Sequence, residues 1–323
     1  MKTPWDFLKE SKTRIKTTWR IAFVSALVLG LLIHLPVMLS DIPNHDGLSS
    51  MYFDQNMITS GRWFLTVACG FSSYFTIPWV IGLIGLIWLA LTAAVLTEVL
   101  ELTDPVTITV VSGLLVSFPA LASTFAYVFT MDGYMLALFL AVLAVLFTAK
   151  YPRGYLAGAV CLAFSMGIYQ AYLPFTILLC VYKLLLYFME EKGWKEKAKY
   201  VCHYLGMGIA GGVLYYVILQ ILLKLQGKVL DTYQGINSME QMGSGMGILA
   251  TIKGMYVDFL AFTVHGNVLV NNIFSLVACI ILVATVVFLV IRSMIWRKWW
   301  KNPAFFVIMI LLGISMPLLT NVI

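Results

Sequence analysis

Long apolar runs, separated by short polar connectors, make up most of the chain. The runs lack the alternation of a half-buried strand, and only helices or closed barrels satisfy their backbone inside lipid. Two of the runs, Val106–Pro119 and Tyr155–Ile168, fall short of the roughly 20 residues that a full crossing needs. The pattern predicts an all-α polytopic membrane protein with about nine transmembrane helices: Ile21–Ser40, Pro78–Leu100, Val106–Pro119, Gly133–Ala149, Tyr155–Ile168, Ala171–Phe188, Val201–Leu223, Ile273–Ile291 and Ala304–Leu319.

The composition agrees with this pattern. Hydrophobic residues form 61% of the 323-residue chain and charged residues 11%. A soluble domain carries about 45–50% apolar and about 25% charged residues, so a soluble globular protein is excluded. The first 20 residues are basic and amphipathic, and they predict a cytoplasmic N-terminal segment. The next run is of spanning length and lacks a clean small-residue cleavage site, so we expect it to be retained as the first helix of a transmembrane domain over residues 21–323.

Basic residues are distributed unevenly among the connectors, and the net charge is +6. All but four of the 21 Lys and Arg residues lie in or beside residues 1–20, 101–105, 150–154, 189–200 and 292–303. Because cytoplasmic loops of membrane proteins are enriched in Lys and Arg, these segments predict an N-terminus inside the cell. Among them, 101–105 alone has no basic residue. The two long connectors, 41–77 and 224–272, then lie outside, and long loops commonly carry function.

The first outer loop combines acids with a lone arginine. Asp46 follows the first predicted span by six residues, Asp54 comes later, and Arg62-Trp63 lies near the end of the loop. A carboxylate can take a proton from an attacking hydroxyl, and an arginine can bind a phosphate through paired N–H groups. The residues alone leave a second interpretation open, which is an ordinary solvated loop with a helix-capping Asp.

Two further polar groups occur where predicted spans meet the outer side, namely Asp132-Gly-Tyr134 and Gly167-Ile-Tyr169-Gln170-Ala-Tyr172. Asp132 is also suited to capping a helix, and tyrosine and glutamine are suited to anchoring at the interface. Spacing alone therefore does not separate binding from a structural role. The centres of the spans hold essentially no ionisable side chains, which argues against an ion-coupled transporter.

Taken together, the motifs resemble those of a known family. Their order is an acidic loop ending in Gly61-Arg62-Trp63, then Asp132-Gly-Tyr134, then Gly167-Ile-Tyr169-Gln170-Ala-Tyr172. It is similar to the membrane glucosyltransferase family that includes the serotype-converting O-antigen glucosyltransferase II proteins. The resemblance covers roughly residues 18–323. It implies a GT-C-like fold with an outward-facing site, a polyprenyl-phosphate-linked sugar donor, glucose as the sugar, and a cell-surface glycan acceptor.

The resemblance also implies a role for each candidate residue. Because the phosphate is a good leaving group, a single carboxylate base suffices, and we assign that base to Asp46. The family's first loop often has adjacent acids, whereas this loop reads Asn44-His45-Asp46-Gly47, so Asp54 stays open as an alternative base or an acceptor-orienting group. Arg62 would bind the donor phosphate. The remaining candidates would bind the sugar or the acceptor: Trp63, Asp132, Tyr134, Tyr169 and Gln170.

We expect no cofactor and no metal, because the donor is already lipid-linked and the sequence shows no clear ligand set. The five cysteines form no CxxC pair, which also argues against a disulfide framework. The expected partners are the lipid-linked donor, the glycan acceptor and membrane lipid, without nucleic acid, and the oligomeric state is left open. We expect a multi-pass integral protein of the cell membrane. The main rival interpretation is a polytopic transporter or lipid-glycan flippase. A non-catalytic membrane assembly subunit is the third interpretation.

Overall fold

The structure is a computed structural model that describes Thr3 and residues 15–40, 57–70, 77–190, 192–230, 248–265 and 273–317. Within those ranges every regular element is helical, which confirms the all-α prediction for them. The α-helices are α1 Thr17–Leu39, α2 Leu65–Ala68, α3 Pro78–Val99, α4 Pro105–Ser117, α5 Pro119–Thr124, α6 Met131–Lys150, α7 Gly154–Ile168, α8 Leu173–Met189, α9 Trp194–Gln226, α10 Ile248–His265, α11 Ile273–Trp296 and α12 Pro303–Ser315. Two short 3-10 helices lie at Gln170–Tyr172 and Trp299–Lys301.

Six helices of the described chain are long and apolar enough to cross a membrane, by length and composition: α1, α3, α6, α8 with the turn before it, α9 and α11. The shorter apolar helices α4, α7 and α12 have 13, 15 and 13 residues. At a rise of 1.5 Å per residue they reach about 20–23 Å, less than the roughly 30 Å hydrocarbon core. Each predicted span thus contains a helix, and the count of nine crossings stays a prediction.

Two helices lie inside the two long connectors that the apolar pattern predicts as outer loops. Helix α2 is a single turn of four residues within 41–77, and α10 has 18 residues within 224–272. Lys253 and Asp258 interrupt the apolar residues of α10, so the apolar pattern does not predict a span there.

Helices α3 and α6 form the centre of the bundle. Each helix in the series α4, α1, α3, α6, α7 and α9 packs against the next one. Helix α8 packs against α6 on one side and against α12 on another. The helix α6 presents Ala137, Ala141 and Ala144 on one face, and all three are fully buried. Small residues at such spacing let neighbouring helices approach closely, as is common between helices in membranes. In contrast, α11 has no buried residue among those described, which is typical of a helix that faces lipid.

Ion pairs collect at one end of the bundle. Glu98, at the end of α3, pairs with Lys16 before α1 and with Lys150 at the end of α6. Glu101, just after α3, pairs with Lys183 near the end of α8. The connector 101–105, which lacks basic residues, therefore supplies a carboxylate partner for a lysine. Lys16, Lys150 and Lys183 therefore lie at the same end of the bundle, and which side of the membrane that end faces stays a prediction.

A buried histidine joins α1 to the end of α4. His34 is 2% exposed, its Nε2 lies 2.8 Å from the carbonyl oxygen of Val116, and its ring stacks on Phe125 at 3.8 Å. Helix α4 ends at Ser117 because Pro119 begins α5, so Val116 lies in the last turn, where carbonyls have no donor within the helix. His34 provides a side-chain partner for that carbonyl. The apolar pattern of the first predicted span gives no hint of this role.

Candidate functional site

Three segments meet at the end of the bundle away from Glu98. They are the turn at residues 57–64, the start of α6, and the link between α7 and α8. Helix α6 has 20 residues, so about 30 Å separates its first residue, Met131, from Lys150 beside Glu98. Six of the predicted site residues lie in these three segments: Arg62, Trp63, Asp132, Tyr134, Tyr169 and Gln170. Asp46 and Asp54 lie outside the described residues.

A tight turn explains the glycine of the Gly61-Arg62-Trp63 motif. Gly61 has a φ of +84°, in the left-handed region that residues with a Cβ rarely adopt. Its N–H donates to the carbonyl of Ile58 at 3.0 Å, and the N–H of Arg62 donates to the carbonyl of Met57 at 2.6 Å. The turn reverses the chain so that Arg62 and Trp63 leave it towards different neighbours.

Arg62 lies against two tyrosines, one on α6 and one in the link between α7 and α8. Its Nη1 donates a long hydrogen bond of 3.4 Å to the hydroxyl of Tyr134, and its Cζ lies 5.2 Å from the centre of the Tyr169 ring. The two tyrosine rings stack on each other at 4.3 Å. The contact with Tyr169 is a cation–π interaction, which holds the guanidinium without neutralising it. The predicted Arg62, Tyr134 and Tyr169 thus form one cluster, which we call the arginine–tyrosine cluster.

The charge of Arg62 is not neutralised by the described part of the chain. None of the ion pairs among the described residues includes Arg62. Its Nε is buried and has no hydrogen-bond partner in that part of the protein. A buried donor without a partner costs roughly 1–3 kcal/mol, and more when it is charged. An anionic oxygen at this position would relieve that cost.

Trp63 is buried and anchors the turn. Its side chain is 7% exposed, with Phe164 at 5.3 Å and Tyr215 at 6.4 Å between ring centres. The next residue, Phe64, donates its backbone N–H to the carbonyl of Gly167 at 2.7 Å. A Cβ on Gly167 would lie 2.6 Å from Cε2 of Trp63, so the ring fills the space that the glycine leaves. The glycine of the third motif and the tryptophan of the first therefore have complementary shapes.

We expect Gly167→Ala to destabilise the site end of the bundle. The new methyl group overlaps the Trp63 ring, which is enclosed and has little room to move, and such overpacking typically costs about 1–3 kcal/mol. Gly208→Ala is the matched control, because nothing lies within 4 Å of a Cβ at that position on α9. Thermal unfolding in detergent should show a lower midpoint for the Gly167 variant alone. Equal midpoints for the two variants would contradict the tight contact with Trp63.

Gln170 bridges the turn and helix α9. Its Nε2 donates to the carbonyl of Ser60 at 3.3 Å and to the hydroxyl of Tyr215 at 3.0 Å. The hydroxyl of Tyr215 in turn donates to the carbonyl of Gly61 at 2.9 Å. Sequence reasoning did not single out Tyr215, which lies inside a predicted span. A tyrosine pair, Tyr215-Tyr216, in an otherwise apolar stretch is the available signal, and it does not tell which hydroxyl turns inwards.

Asp132 is the second residue of α6 and not its N-cap. Thr130 occupies the N-cap position, and the Oδ1 of Asp132 accepts from the N–H of Gly133 at 2.9 Å. The side chain of Asp132 is buried, and a carboxylate in the first turn is favoured by the helix dipole. Its burial beside Tyr134 on the same helix end keeps a carboxylate in the region of the arginine–tyrosine cluster.

Among the described residues there is no group of three or more His, Cys, Asp or Glu side chains that could hold a metal ion. The chemistry available there comes from one guanidinium, several phenol groups, one amide and the buried carboxylate of Asp132.

The fold and the site together indicate the general class of the protein, a helical membrane protein. The described residues form a bundle of apolar helices, and six of these helices are long enough to cross a membrane. The arginine–tyrosine cluster lies at one end of the bundle. A family model described as Glucosyl transferase GtrII matches residues 35–323, and the chain belongs to that family. The match includes every candidate site residue and confirms the resemblance seen in the motifs. No curated protein and no solved structure matches the chain. Family membership makes this chain a membrane glycosyltransferase.

Proposed function

We propose that the protein transfers glucose from a polyprenyl-phosphate carrier to a cell-surface glycan acceptor at the outer face of the cell membrane. The proposal includes an N-terminus inside the cell, a GT-C-like arrangement of about nine crossings, and Asp46 as the general base. The observation that supports it most is the environment of the Arg62 guanidinium. A guanidinium held against two tyrosines, with a buried Nε that lacks a partner among the described residues, is suited to binding a phosphate.

The low polarity of the surroundings strengthens this argument. An ionised group in an apolar medium is costly unless it is paired, and a phosphate at headgroup depth has the same requirement as Arg62. A lipid-linked phosphate and this guanidinium therefore stabilise each other. The guanidinium fork also matches two phosphate oxygens, whereas an ammonium group acts as a point charge.

The proposed reaction balances with one base and one cation. An acceptor hydroxyl oxygen attacks C1 of the sugar, and its proton passes to the carboxylate of Asp46. The bond between C1 and the phosphate oxygen breaks, and the electron pair leaves with the phosphate. The charge that develops on the leaving oxygen is stabilised by Arg62, which is in place before the reaction. No proton is needed by the leaving group, in contrast to glycoside hydrolysis.

The tyrosines of the cluster are placed to assist. The Tyr134 hydroxyl accepts from Arg62, so its own O–H remains able to donate to a phosphate or sugar oxygen. Tyr169 keeps the guanidinium in position through its ring. We propose that Asp132, Tyr134 and Tyr169 contact the donor sugar or the acceptor. The burial of Trp63 favours an anchoring role over stacking on a sugar.

Sealed vesicles test the reaction and its side together. We expect right-side-out vesicles that contain the protein and a polyprenyl-phosphate glucose donor to glucosylate a membrane-impermeant glycan added outside. Inside-out vesicles of the same composition should be inactive until they are opened with detergent. Transfer in the inside-out vesicles before opening would overturn the assignment of the outer face.

The same vesicles distinguish the transporter and flippase interpretation. A flippase would move the labelled lipid-linked sugar between leaflets without forming a new glycosidic bond. Family membership favours the glycosyltransferase. Movement of the donor between leaflets without transfer to any acceptor would contradict the proposed reaction.

A further inference from the structure

We infer that Gln170 and Tyr215 are positioning residues for Arg62, forming a clamp that fixes the turn from which Arg62 extends. The inference rests on the proposed role of Arg62 in binding the donor phosphate. The clamp is made of three hydrogen bonds: Gln170 Nε2 to the carbonyl of Ser60, Gln170 Nε2 to the hydroxyl of Tyr215, and that hydroxyl to the carbonyl of Gly61.

The clamp joins parts of the chain that are far apart in sequence. Gln170 lies between α7 and α8, while Tyr215 lies on α9, 45 residues later. The turn that both hold is 110 residues before Gln170. Because Tyr215 comes from a long helix and is only 3% exposed, its hydroxyl is a fixed point against which the turn is set.

The clamp acts on the two carbonyls that directly precede Arg62. Gly61 has no side chain, and the hydroxyl of Ser60 donates within the turn to the carbonyl of Met57 at 3.1 Å. The backbone carbonyls of these two residues are therefore the groups that the clamp holds. The turn itself uses the N–H groups of Gly61 and Arg62 for its internal bonds, which leaves these carbonyls to be held from outside. Gln170 and Tyr215 therefore control the direction in which Arg62 leaves the turn.

This geometry predicts a specific kinetic defect. A shift of about 1 Å in a positioning contact can cost up to roughly 100-fold in rate when it displaces the group that meets the substrate. If the clamp sets Arg62, its loss should weaken the use of the lipid donor and leave the use of the acceptor nearly unchanged. A residue that merely supports the fold would affect both substrates, together with the amount of folded protein.

Tyr215→Phe, in the full-length chain in vesicles, is the most conservative test. It keeps the ring against Trp63 and removes the hydroxyl that joins Gln170 to Gly61. Because the hydroxyl takes part in two of the three hydrogen bonds of the clamp, we expect the apparent KM for polyprenyl-phosphate glucose to rise roughly 3- to 10-fold, with the acceptor KM unchanged. Tyr216→Phe is the matched control, because Tyr216 is the next residue on the same helix and is 54% exposed. An unchanged donor KM in Tyr215→Phe, or an equal change in Tyr216→Phe, would overturn the inference.

A double-mutant cycle tests whether the two residues act as one unit. Gln170→Leu alone should raise the donor KM to a similar extent. Because both residues hold the same turn, the double variant should be less impaired than the product of the two single effects. Effects that simply multiply would show that the two residues act independently and would overturn the clamp.

The reactivity of Arg62 provides a readout that needs no substrate. Phenylglyoxal modifies accessible arginines, and mass spectrometry measures the rate at Arg62 itself. We expect Arg62 to react several-fold faster in Tyr215→Phe than in the wild-type protein or in Tyr216→Phe. Equal rates in all three proteins would refute the clamp. If the wild-type protein transfers no sugar from the donor, the proposed function fails, and the arginine reactivity still decides on the clamp.

Discussion

Arg62→Ala is expected to lower kcat/KM for the lipid-linked donor by roughly 30- to 1,000-fold, which corresponds to about 2–4 kcal/mol for a truncated charge pair in an apolar site. The loss has a physical basis in the cluster, where Arg62 presents a charge that no described residue neutralises. Removing it takes away the cation that we propose stabilises the leaving phosphate. Initial rates at varied donor concentration, with saturating acceptor, measure the effect.

Arg62→Lys distinguishes charge from geometry. Lysine keeps the positive charge but loses the fork that matches two phosphate oxygens, so its rate should fall between those of the wild-type protein and Arg62→Ala. Arg153→Ala is a suitable control, because Arg153 is an exposed cation before α7 at the other end of the bundle. Donor use in Arg62→Ala equal to that of the control would move the proposed phosphate site to another cation on the predicted outer side, with Lys224, Lys228 and Lys253 as the candidates.

Much of the fold follows from the sequence because lipid imposes a simple rule. A segment that crosses the membrane must be apolar and must satisfy its own backbone, so each long apolar run predicts a helix. Helix ends are less visible in such a pattern. The run Val106–Pro119 gives way to two helices because Pro119 lacks an N–H for α4 and is suited to begin α5. Helix α10, whose apolar residues are interrupted by Lys253 and Asp258, is not predicted by this rule.

Part of the candidate site can also be predicted from the sequence. Arg62, Tyr134 and Tyr169 come from three motifs, and the structure brings them into contact. What the sequence did not reveal are the supports of the cluster. The fit of Trp63 against Gly167 depends on the approach of two segments more than 100 residues apart, and no local pattern encodes that approach. The inward direction of the Tyr215 hydroxyl depends on how α9 is rotated about its own axis in the bundle. Because α9 has apolar residues on all sides, its sequence pattern does not determine that rotation.

The catalytic base has the second large expected effect, and its assignment still rests on the sequence. Asp46 follows the end of α1 by seven residues, whereas Asp54 precedes Met57, the residue whose carbonyl receives the N–H of Arg62, by three. In sequence, Asp54 is therefore adjacent to the turn that carries Arg62 and is suited to orienting it or an acceptor. Asp46 lies farther from that turn in sequence and closer to the end of α1, so we prefer it as the group that takes the acceptor proton.

Asp46→Asn is expected to reduce transfer about 100- to 10,000-fold, the usual range for the loss of a general base. Asparagine keeps the size and much of the hydrogen-bonding capacity of aspartate, so we expect the variant to fold and to bind the donor with nearly unchanged KM. Transfer from a polyprenyl-phosphate sugar, compared at equal amounts of folded protein, measures the effect.

Asp258→Asn on α10 is the matched control, since Asp258 is an exposed carboxylate on the same predicted side. A rise in pH should not restore activity to Asp46→Asn, because the amide does not become a base. Near-normal transfer by Asp46→Asn, beside an inactive Asp54→Asn, would move the base to Asp54 and leave the role of Arg62 untouched.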